Sequence, residues 1–248
     1  MQAMILAAGI GSRLKPITDS IPKPLIEING HTMLENTIQY LKKSGVNKII
    51  INVHHHAQQI ADYFKDHNNF DLEVCISDET DERKNTGGGI VKASEYFNPD
   101  EEVIVTVSDI LTNLSLGDML EYHKQKGALV TLAVKERETS RNLLFDVDNK
   151  LAGWRNNKTG ELKMVHGKKA VKNLAFSGVH IIEPKFFEVV ISKGNFNIIN
   201  EYLFLAEKYK IVGFNHCSDI WLEFGRLQTM EQAKTDPVVQ KLQAHLFS

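Results

Sequence analysis

The first half of the chain alternates short apolar runs with segments of helical periodicity. The apolar runs show no strict alternation with polar residues, which is typical of strands that are covered on both faces. They lie at residues 4–8, 48–53, 72–76, 103–107 and 128–134. Between the first two runs, Leu34, Ile38 and Leu41 recur along one helix face, and Thr32 and Glu35 have the spacing of a capping box. Strands that alternate with helices predict a parallel sheet with helices on both faces.

The pattern changes after Val134. Short strands separated by polar turns are predicted at residues 143–147, 151–154, 163–165 and 174–182. We interpret this stretch as a small β-rich subdomain laid over the edge of the main sheet. Two helices, two short strands and a helical end follow at residues 184–191, 198–209, 211–214, 220–224 and 227–248. The predicted fold class is therefore α/β, with a Rossmann-like, mainly parallel mixed sheet.

Composition and charge narrow the classes of function. A chain of 248 residues suits a domain that buries a core without disulfides. The formal net charge of −2 gives no basic footprint for nucleic acid, and no apolar run is long enough to span a bilayer. Cys75 and Cys217 lie in apolar runs without a CxxC partner, which predicts two buried thiols in a reducing cytoplasm. We therefore expect a cytoplasmic protein without a nucleic-acid or membrane partner.

The loop after the first strand, residues 9–24, combines residue types that bind phosphate. Open α/β sheets bind ligands at loops of this kind, at the carboxyl ends of their strands. Gly9 and Gly11 allow the backbone to approach a phosphate group closely. Arg13 offers a planar fork for phosphate oxygens, and Lys23 is a compact charge between two prolines that stiffen the chain. The pattern predicts a phosphate-binding loop.

Two other interpretations of this loop fit its glycines less specifically. Gly9-Ile10-Gly11 resembles the start of a dinucleotide fingerprint, but Leu14 stands where the third glycine belongs. A plain structural turn would also use two glycines. The combination of glycines, Arg13, Thr18 and Pro-Lys-Pro is more specific and favours the phosphate site.

Together these residues resemble the N-terminal motif of the sugar-nucleotide pyrophosphorylases, a family of sugar-1-phosphate nucleotidylyltransferases. The matching stretches are Ala7-Ala8-Gly9-Ile10-Gly11-Ser12-Arg13-Leu14-Lys15-Pro16 and Pro22-Lys23-Pro24. The chain is most similar to the short bacterial N-acetylmuramate 1-phosphate uridylyltransferases through Gln58-Gln59-Ile60, Thr86-Gly87-Gly88-Gly89-Ile90 and Phe176-Ser177-Gly178. The resemblance extends to about Gly225 and is weakest between Arg141 and Asn173.

The resemblance implies an activity and a division of the chain. Family members transfer a nucleotidyl group from a nucleoside triphosphate to a sugar 1-phosphate, use Mg²⁺ and release pyrophosphate. We expect UTP as the first donor and GTP as the second, N-acetylmuramate 1-phosphate as a possible acceptor, and a monomer or small homo-oligomer. Within one domain, residues 1–134 would form the nucleotide-binding half, residues 135–226 the sugar-binding half and residues 227–248 a C-terminal helical tail.

The family also implies nucleotide contacts in the phosphate loop and in a second glycine cluster. Glycines before a helix let a flat base lie against the backbone, although a tight loop at a helix N-terminus would use the same residues. Glu82 matches a base-reading position in some members, and it equally fits a solvated charge run at residues 81–84. The predicted nucleotide-binding residues are Ala7, Ala8, Gly9, Gly11, Ser12, Arg13, Lys23, Glu82, Asn85, Thr86, Gly87 and Gly88.

A carboxylate at the same sheet edge is the predicted metal ligand. Asp109 follows the run at residues 103–107, where it can hold Mg²⁺ against phosphate oxygens or cap the next turn. Family members place a metal-binding Asp at the matching position. The predicted catalytic residues are therefore Asp109, Arg13 for the leaving pyrophosphate, and Lys23 for the α-phosphate and the attacking phosphate.

The second metal carboxylate departs from the family pattern. Members have Asp in a Trp-x-Asp-x-Gly context, whereas this chain has Trp221-Leu222-Glu223-Phe224-Gly225. Glu223 is the predicted second ligand, and the nearby Asp219 is an alternative. This departure leaves a second hypothesis open, a nucleotide- or sugar-binding regulator that has lost catalysis.

Sugar sites need several polar groups that bind hydroxyls on a rigid floor. Family members bind their sugar through the stretch that corresponds to residues 173–178. The predicted sugar-binding residues are Asn113, Asn142, Asn173, Ser177 and Gly178.

Overall fold

The structure is a computed structural model that describes all 248 residues. Its strands are β1 (Gln2–Leu6), β2 (Glu27–Ile28), β3 (His31–Thr32), β4 (Lys48–Val53), β5 (Glu73–Asp78), β6 (Val103–Val107), β7 (Ile110–Thr112), β8 (Val130–Lys135), β9 (Arg141–Phe145), β10 (Leu151–Asn156), β11 (Leu162–Met164), β12 (Lys172–Ile182), β13 (Ile211–Asn215) and β14 (Trp221–Glu223). Its helices are α1 (Met33–Lys43), α2 (Ala57–Asp66), α3 (Asn85–Lys92), α4 (Leu116–Lys126), α5 (Phe186–Val189), α6 (Ile198–Leu205), α7 (Leu227–Ala233) and α8 (Pro237–Phe247).

A ten-stranded mixed sheet forms the centre of the molecule. The strand order is β11-β10-β9-β12-β6-β1-β4-β5, and β8 joins β12 to β13. Strands β6, β1, β4 and β5 are parallel, whereas β12 runs antiparallel to β6. Successive residues of β1 contribute to opposite faces: Ala3 and Ile5 belong to one hydrophobic cluster and Met4 to the other. Burial on both faces explains why the strand sequences lack alternation, and the α/β mixed-sheet prediction is confirmed.

The β-rich stretch extends the main sheet and does not lie over its edge as we expected. Strand β12 spans 11 residues and serves both regions. Its first residues, Lys172 to Leu174, pair with β9, and its last, His180 to Ile182, pair with β6. The two halves of the chain therefore share one continuous sheet, which fixes them relative to each other.

Three local predictions need correction. The helix expected at residues 184–191 is the single turn α5, because the amide of Ile191 leaves the helix and donates to Glu201 Oε1 at 3.0 Å. Helix α6 ends at Leu205, four residues before the expected end. Cys217 is exposed in a turn and Cys75 is half-buried, so neither is the buried thiol that the apolar runs suggested. Both cysteines are free.

The helix starts follow the sequence more closely. The hydroxyl of Thr32 accepts a hydrogen bond from the Glu35 amide at 3.0 Å, which confirms the predicted N-cap of α1. Helices α7 and α8 form the end of the chain, and Gln243 of α8 donates to the Asn36 side chain of α1 at 3.1 Å. None of the eight helices has the length and apolarity needed to cross a lipid bilayer.

Candidate active site

A cleft opens where β1 and β6 end, at the carboxyl edge of the parallel strands. Seven of the predicted nucleotide, catalytic and metal residues line it: Ala7, Ala8, Gly9, Lys23, Asn85, Thr86 and Asp109. The other lining residues are Leu6, Pro24, Asn52, Glu79, Arg83, Val107 and Ser108. The structure thus brings the phosphate loop, the start of α3 and the predicted metal carboxylate to one cavity. This is the position at which open α/β sheets bind ligands.

The phosphate loop depends on a glycine at position 11. Gly11 has a φ of +68°, and a Cβ there would lie 2.7 Å from Thr18 Cγ2. The Gly11 carbonyl accepts hydrogen bonds from Thr18 Oγ1 at 3.0 Å and from the Leu14 amide at 2.8 Å. Gly9, by contrast, has open space where a side chain would stand, which leaves the backbone of the cleft accessible. Gly11 therefore allows the tight turn, whereas Gly9 keeps the backbone of the cleft open to a ligand.

Lys23 and Asp109 form an ion pair inside the cleft. Lys23 follows Pro22 at the start of a tight turn, and Asp109 follows β6 by two residues. Their side chains are only 14% and 13% exposed, so solvent screens the pair less than a surface ion pair. The cleft thus holds a cation and a carboxylate at one place, where phosphate oxygens and a metal ion would each find a partner of opposite charge.

The second predicted metal carboxylate lies on the neighbouring strand. The Asp109 carbonyl accepts a hydrogen bond from the Phe224 amide at 2.9 Å, and Glu223 is paired with Ile110. Glu223 Oε1 lies 3.6 Å from Arg13 Nη2. A Cβ at position 225 would lie 2.9 Å from each of these two atoms, so Gly225 makes room for the pair.

The donor set fits Mg²⁺, which takes one or two carboxylates and completes its shell with phosphate oxygens and water. Asp109 lines the nucleotide cleft, whereas Glu223 lines an adjacent one with Arg13. The ligand roles of both carboxylates stay predictions.

The adjacent cleft, of about 630 Å³, is polar and carries several cations. Arg13, Arg137, Lys158 and Arg226 line it together with Trp221 and Glu223. The Arg137 guanidinium lies over the Trp221 ring, 4.1 Å from its centre, and donates to the Phe176 carbonyl at 2.9 Å. Burial lowers the pKa of Arg137. Glu223 of β14 pairs with Ile110 of β7, the residue after Asp109, so this strand pair lies beside a carboxylate of each cleft.

Asn52 and Glu79, which were not among the predicted site residues, join the two loops of the nucleotide cleft. Asn52 Oδ1 accepts from the Ala7 amide at 2.8 Å, and its Nδ2 donates to Glu79 Oε1 at 2.7 Å. Glu79 Oε2 accepts from the Lys84 amide at 2.9 Å. The available signal was a polar residue inside the apolar run Ile49-Ile50-Ile51-Asn52-Val53. Both residues are buried and fix the loops to each other.

Several predicted nucleotide contacts lie outside the lining of the cleft. Gly87 and Gly88 are buried, and a Cβ would collide with the Phe196 ring at position 87 and with the Gly194 carbonyl at position 88. Glu82 is exposed and paired with Lys84, whose hydrogen bond lowers the pKa of this carboxyl. Ser12 belongs to the turn at residues 12–14. Their contacts with a nucleotide stay predictions.

The five predicted sugar residues do not converge on one cavity. Ser177 is buried, with its Oγ 2.7 Å from His216 Nε2, and Gly178 packs against Val107 with a φ of +83°. Asn113 Oδ1 accepts from the Ile220 amide at 2.7 Å, and Asn173 is exposed on β12. Only Asn142 lines one of the cavities described, a shallow one next to the second cleft.

The fold and the cleft define an α/β protein whose predicted phosphate loop and Lys23–Asp109 pair lie at the carboxyl edge of the parallel strands. The family model described as "Nucleotidyl transferase" matches residues 2–145, more than half of the chain. This chain belongs to the nucleotidyl transferase family.

Curated relatives match beyond the family region. The chain is 31% identical over 216 residues to a UTP–glucose-1-phosphate uridylyltransferase of Synechocystis, covering 80% of this chain and 53% of the relative. It is 28% identical to a probable glucose-1-phosphate cytidylyltransferase of Bacillus subtilis, covering 79% of this chain and 80% of the relative. The chain thus spans about half the length of the first relative.

Solved structures share the fold. A putative glucose-1-phosphate thymidylyltransferase from Bacillus anthracis, in complex with a sucrose, superimposes with a TM-score of 0.79 at 14% identity, covering 97% of this chain and 95% of the other. HddC from Yersinia pseudotuberculosis, complexed with GMP-PN, gives a TM-score of 0.73 at 23% identity, covering 94% and 97%. At these identities the likeness establishes the fold alone.

Proposed function

We propose that this protein transfers a nucleotidyl group from a nucleoside triphosphate to a sugar 1-phosphate and releases pyrophosphate, with Mg²⁺ as its cofactor. The observation that carries the proposal is the Lys23–Asp109 pair in a cleft shared by the phosphate loop and the start of α3. The curated relatives support the reaction class, since their names specify uridylyl, cytidylyl and guanylyl transfer to sugar 1-phosphates.

The proposed reaction exchanges one P–O bond for another. An oxygen of the sugar 1-phosphate attacks the α-phosphorus, the bond to the β-phosphate oxygen breaks, and pyrophosphate leaves with the electron pair. The attacking group is already an anion, so no general base is needed. Catalysis then consists of orienting the two phosphates and neutralising their charge.

Side chains of the two adjacent clefts would supply this charge neutralisation. The Lys23 ammonium offers three N–H donors to the α-phosphate and the attacking phosphate. Arg13 touches Glu223 with one edge and is 56% exposed, which leaves its other N–H donors for the leaving pyrophosphate. Asn85 and Thr86 line the same cleft as Lys23, and we expect them to contact the nucleoside.

Asp109 and Glu223 are the residues that would hold the metal ion. When bound, Mg²⁺ withdraws charge from phosphate oxygens and lowers the barrier to displacement. The first choice of donor is UTP and the second is GTP. The resemblance to short bacterial uridylyltransferases favours N-acetylmuramate 1-phosphate as the acceptor.

The two free cysteines, one of them exposed, are consistent with a reducing cytoplasm.

Pyrophosphate release tests this function. Purified protein is incubated with Mg²⁺, each of UTP, GTP, CTP and dTTP, and a panel of sugar 1-phosphates. We expect release that requires both substrates and is greatest with UTP. Nucleotide binding without release across the panel would replace the proposal with the regulatory alternative.

A further inference from the structure

A segment from the sugar-binding half packs behind the nucleotide cleft. Residues 191–197, here the clamp segment, connect α5 to α6. The Phe196 carbonyl accepts from the Gly87 amide at 2.9 Å, and the Phe196 amide donates to the Lys84 carbonyl at 3.3 Å. Asn195 Nδ2 donates to the Arg83 carbonyl at 2.9 Å. Three hydrogen bonds therefore join the clamp segment to the main chain of residues 83–87.

Side-chain packing adds to these bonds. The Phe196 ring lies where a side chain on Gly87 would be, and the Gly194 carbonyl lies where one on Gly88 would be. At the end of the segment, the Ile198 amide donates to Thr86 Oγ1 at 3.1 Å. The glycines of this cluster therefore allow the clamp segment to approach closely.

The clamp segment is itself fixed by a buried carboxylate. Glu201 on α6 is 2% exposed and has no cationic partner among its hydrogen bonds or ion pairs. Its oxygens accept from the Ile191 amide at 3.0 Å and from Ser192 Oγ at 2.5 Å. A buried carboxylate held by two donors keeps the start of the segment in one conformation.

The loop that the clamp segment contacts includes one left-handed residue. Asn85 has a φ of +62°, in a region that asparagine adopts more often than most other residues with a side chain. The clamp segment bonds to the chain on both sides of Asn85, at the Lys84 carbonyl and the Gly87 amide. Arg83, Asn85 and Thr86 of this loop line the nucleotide cleft, whereas no residue of the clamp segment does.

We propose that the clamp segment is a positioning element for the nucleoside, acting from the sugar-binding half through the main chain of residues 83–88. The clamp segment fixes the positions of Asn85 and Thr86. It thereby controls the affinity of the site for the nucleoside and the discrimination between nucleobases. The clamp segment has no hydrogen bond to the phosphate loop, which is linked to Lys84 indirectly through Asn52 and Glu79. We therefore expect the segment to affect the Kd of pyrophosphate less than the Kd of the triphosphate. This inference rests on the proposed nucleotide site.

The test compares two substitutions of the exposed Asn195 with a control substitution at a second exposed asparagine nearby. Asn195→Ala removes the hydrogen bond to Arg83, and Asn195→Asp replaces its donor with a charge that repels that carbonyl. Asn200→Ala is the matched control, because Asn200 is also exposed and its side chain accepts a hydrogen bond from Lys163 Nζ at 3.2 Å, away from residues 83–88. Kd values are measured for UTP, GTP and inorganic pyrophosphate, with deuterium uptake of residues 83–88.

We expect Asn195→Ala to raise the Kd of the preferred triphosphate by about three- to tenfold, the effect of one hydrogen bond. Asn195→Asp should raise it further. Both should narrow the ratio of the Kd values for UTP and GTP and speed deuterium uptake at residues 83–88. The Kd of pyrophosphate should rise less than that of the triphosphate, and Asn200→Ala should leave all of these values unchanged. Equal rises for triphosphate and pyrophosphate would indicate a general structural effect and overturn the proposal.

Unchanged triphosphate affinity and unchanged uptake in both Asn195 variants would also overturn it. Failure of the proposed function looks different, because the unaltered protein itself would then bind none of the triphosphates.

Discussion

Lys23 and Asp109 are 86 positions apart in the chain and form an ion pair in the cleft. The lysine comes from the Pro-Lys-Pro turn, and the aspartate from the end of a central parallel strand. Without substrate, each neutralises the other's charge. A bound phosphate would compete for Lys23 and a metal ion for Asp109, so ligand binding is expected to separate the pair.

Replacing Lys23 tests its role in charge neutralisation. Lys23→Ala should slow turnover by about two to three orders of magnitude, the usual effect of losing one donor to a transition state. The fold should remain, because the residue lies in a loop. Lys15→Ala is the control: Lys15 lies in the same loop, is 57% exposed and pairs with Asp19. Comparable rates for Lys23→Ala and the unaltered enzyme would remove Lys23 from the reaction.

Asp109→Asn keeps the shape of the side chain and removes its charge. Activity should collapse at ordinary Mg²⁺ concentrations, because an amide oxygen is a weaker ligand than a carboxylate. Excess Mg²⁺ or Mn²⁺ should restore part of it. The measurement is rate against metal concentration. Full activity and an unchanged Mg²⁺ dependence in Asp109→Asn would show that Asp109 caps a turn and does not bind the metal.

Glu223 and Asp219 are the two candidates for the second metal ligand. Glu223 neighbours Asp109 across a strand pair, whereas an Asp219 oxygen lies 3.7 Å from His216 Nδ1 and outside both clefts. Glu223→Gln should therefore abolish most activity and raise the Mg²⁺ requirement, with Glu223→Asp milder. Asp219→Asn should leave the Mg²⁺ response unchanged. A silent Glu223→Gln beside an inactive Asp219→Asn would reverse the assignment.

Much of the site was predictable because it consists of local motifs. The phosphate loop and Asp109 each follow an apolar strand, and parallel strands bring their carboxyl ends to one edge. The Asn52–Glu79 pair and the contact of Phe196 with Gly87 were not predictable, since they join residues far apart in the chain. Ser177 was assigned to the sugar because its motif matched, but its hydroxyl is buried against His216.

The edge of the sheet shows the same limit. Apolar character and turn residues located every end of the short strands after residue 134 to within two residues. The pairing of these strands could not be predicted in the same way, because it depends on the length of β12, which bridges β9 and β6. Sequence periodicity predicts which face of a strand is buried, but not which strand lies beside it.

His180 should make stability depend on pH. It is buried on β12 between Phe176 and Tyr202, and neither ring nitrogen has a hydrogen-bond partner. Burial lowers the pKa of His180 to about 3, against about 6.5 in an unfolded chain. Between these values only the unfolded chain binds the proton, so the free energy of unfolding decreases as the pH falls from about 6.5 toward 3.

Replacing this histidine should reduce the acid sensitivity. In His180→Leu, the loss of unfolding free energy between pH 7 and pH 4.5 should be smaller by about 2 kcal/mol. Some loss should persist, because burial also lowers the pKa of His216, to about 4. Urea unfolding at the two pH values provides the measurement, and His166→Leu, at an exposed position, is the control. An identical pH dependence in His180→Leu and the unaltered protein would contradict this account.

Transfer of the α-phosphorus from the triphosphate to the sugar 1-phosphate is the direct measure of the proposed reaction. UTP labelled with ³²P at the α position is incubated with the protein, Mg²⁺ and N-acetylmuramate 1-phosphate, with GTP and other sugar 1-phosphates in parallel. The account predicts that the label enters a nucleoside diphosphate sugar, with one pyrophosphate released per transfer. Added pyrophosphate should return the label to the triphosphate. Label that stays in the triphosphate across the whole panel, while the protein binds that nucleotide, would contradict catalysis.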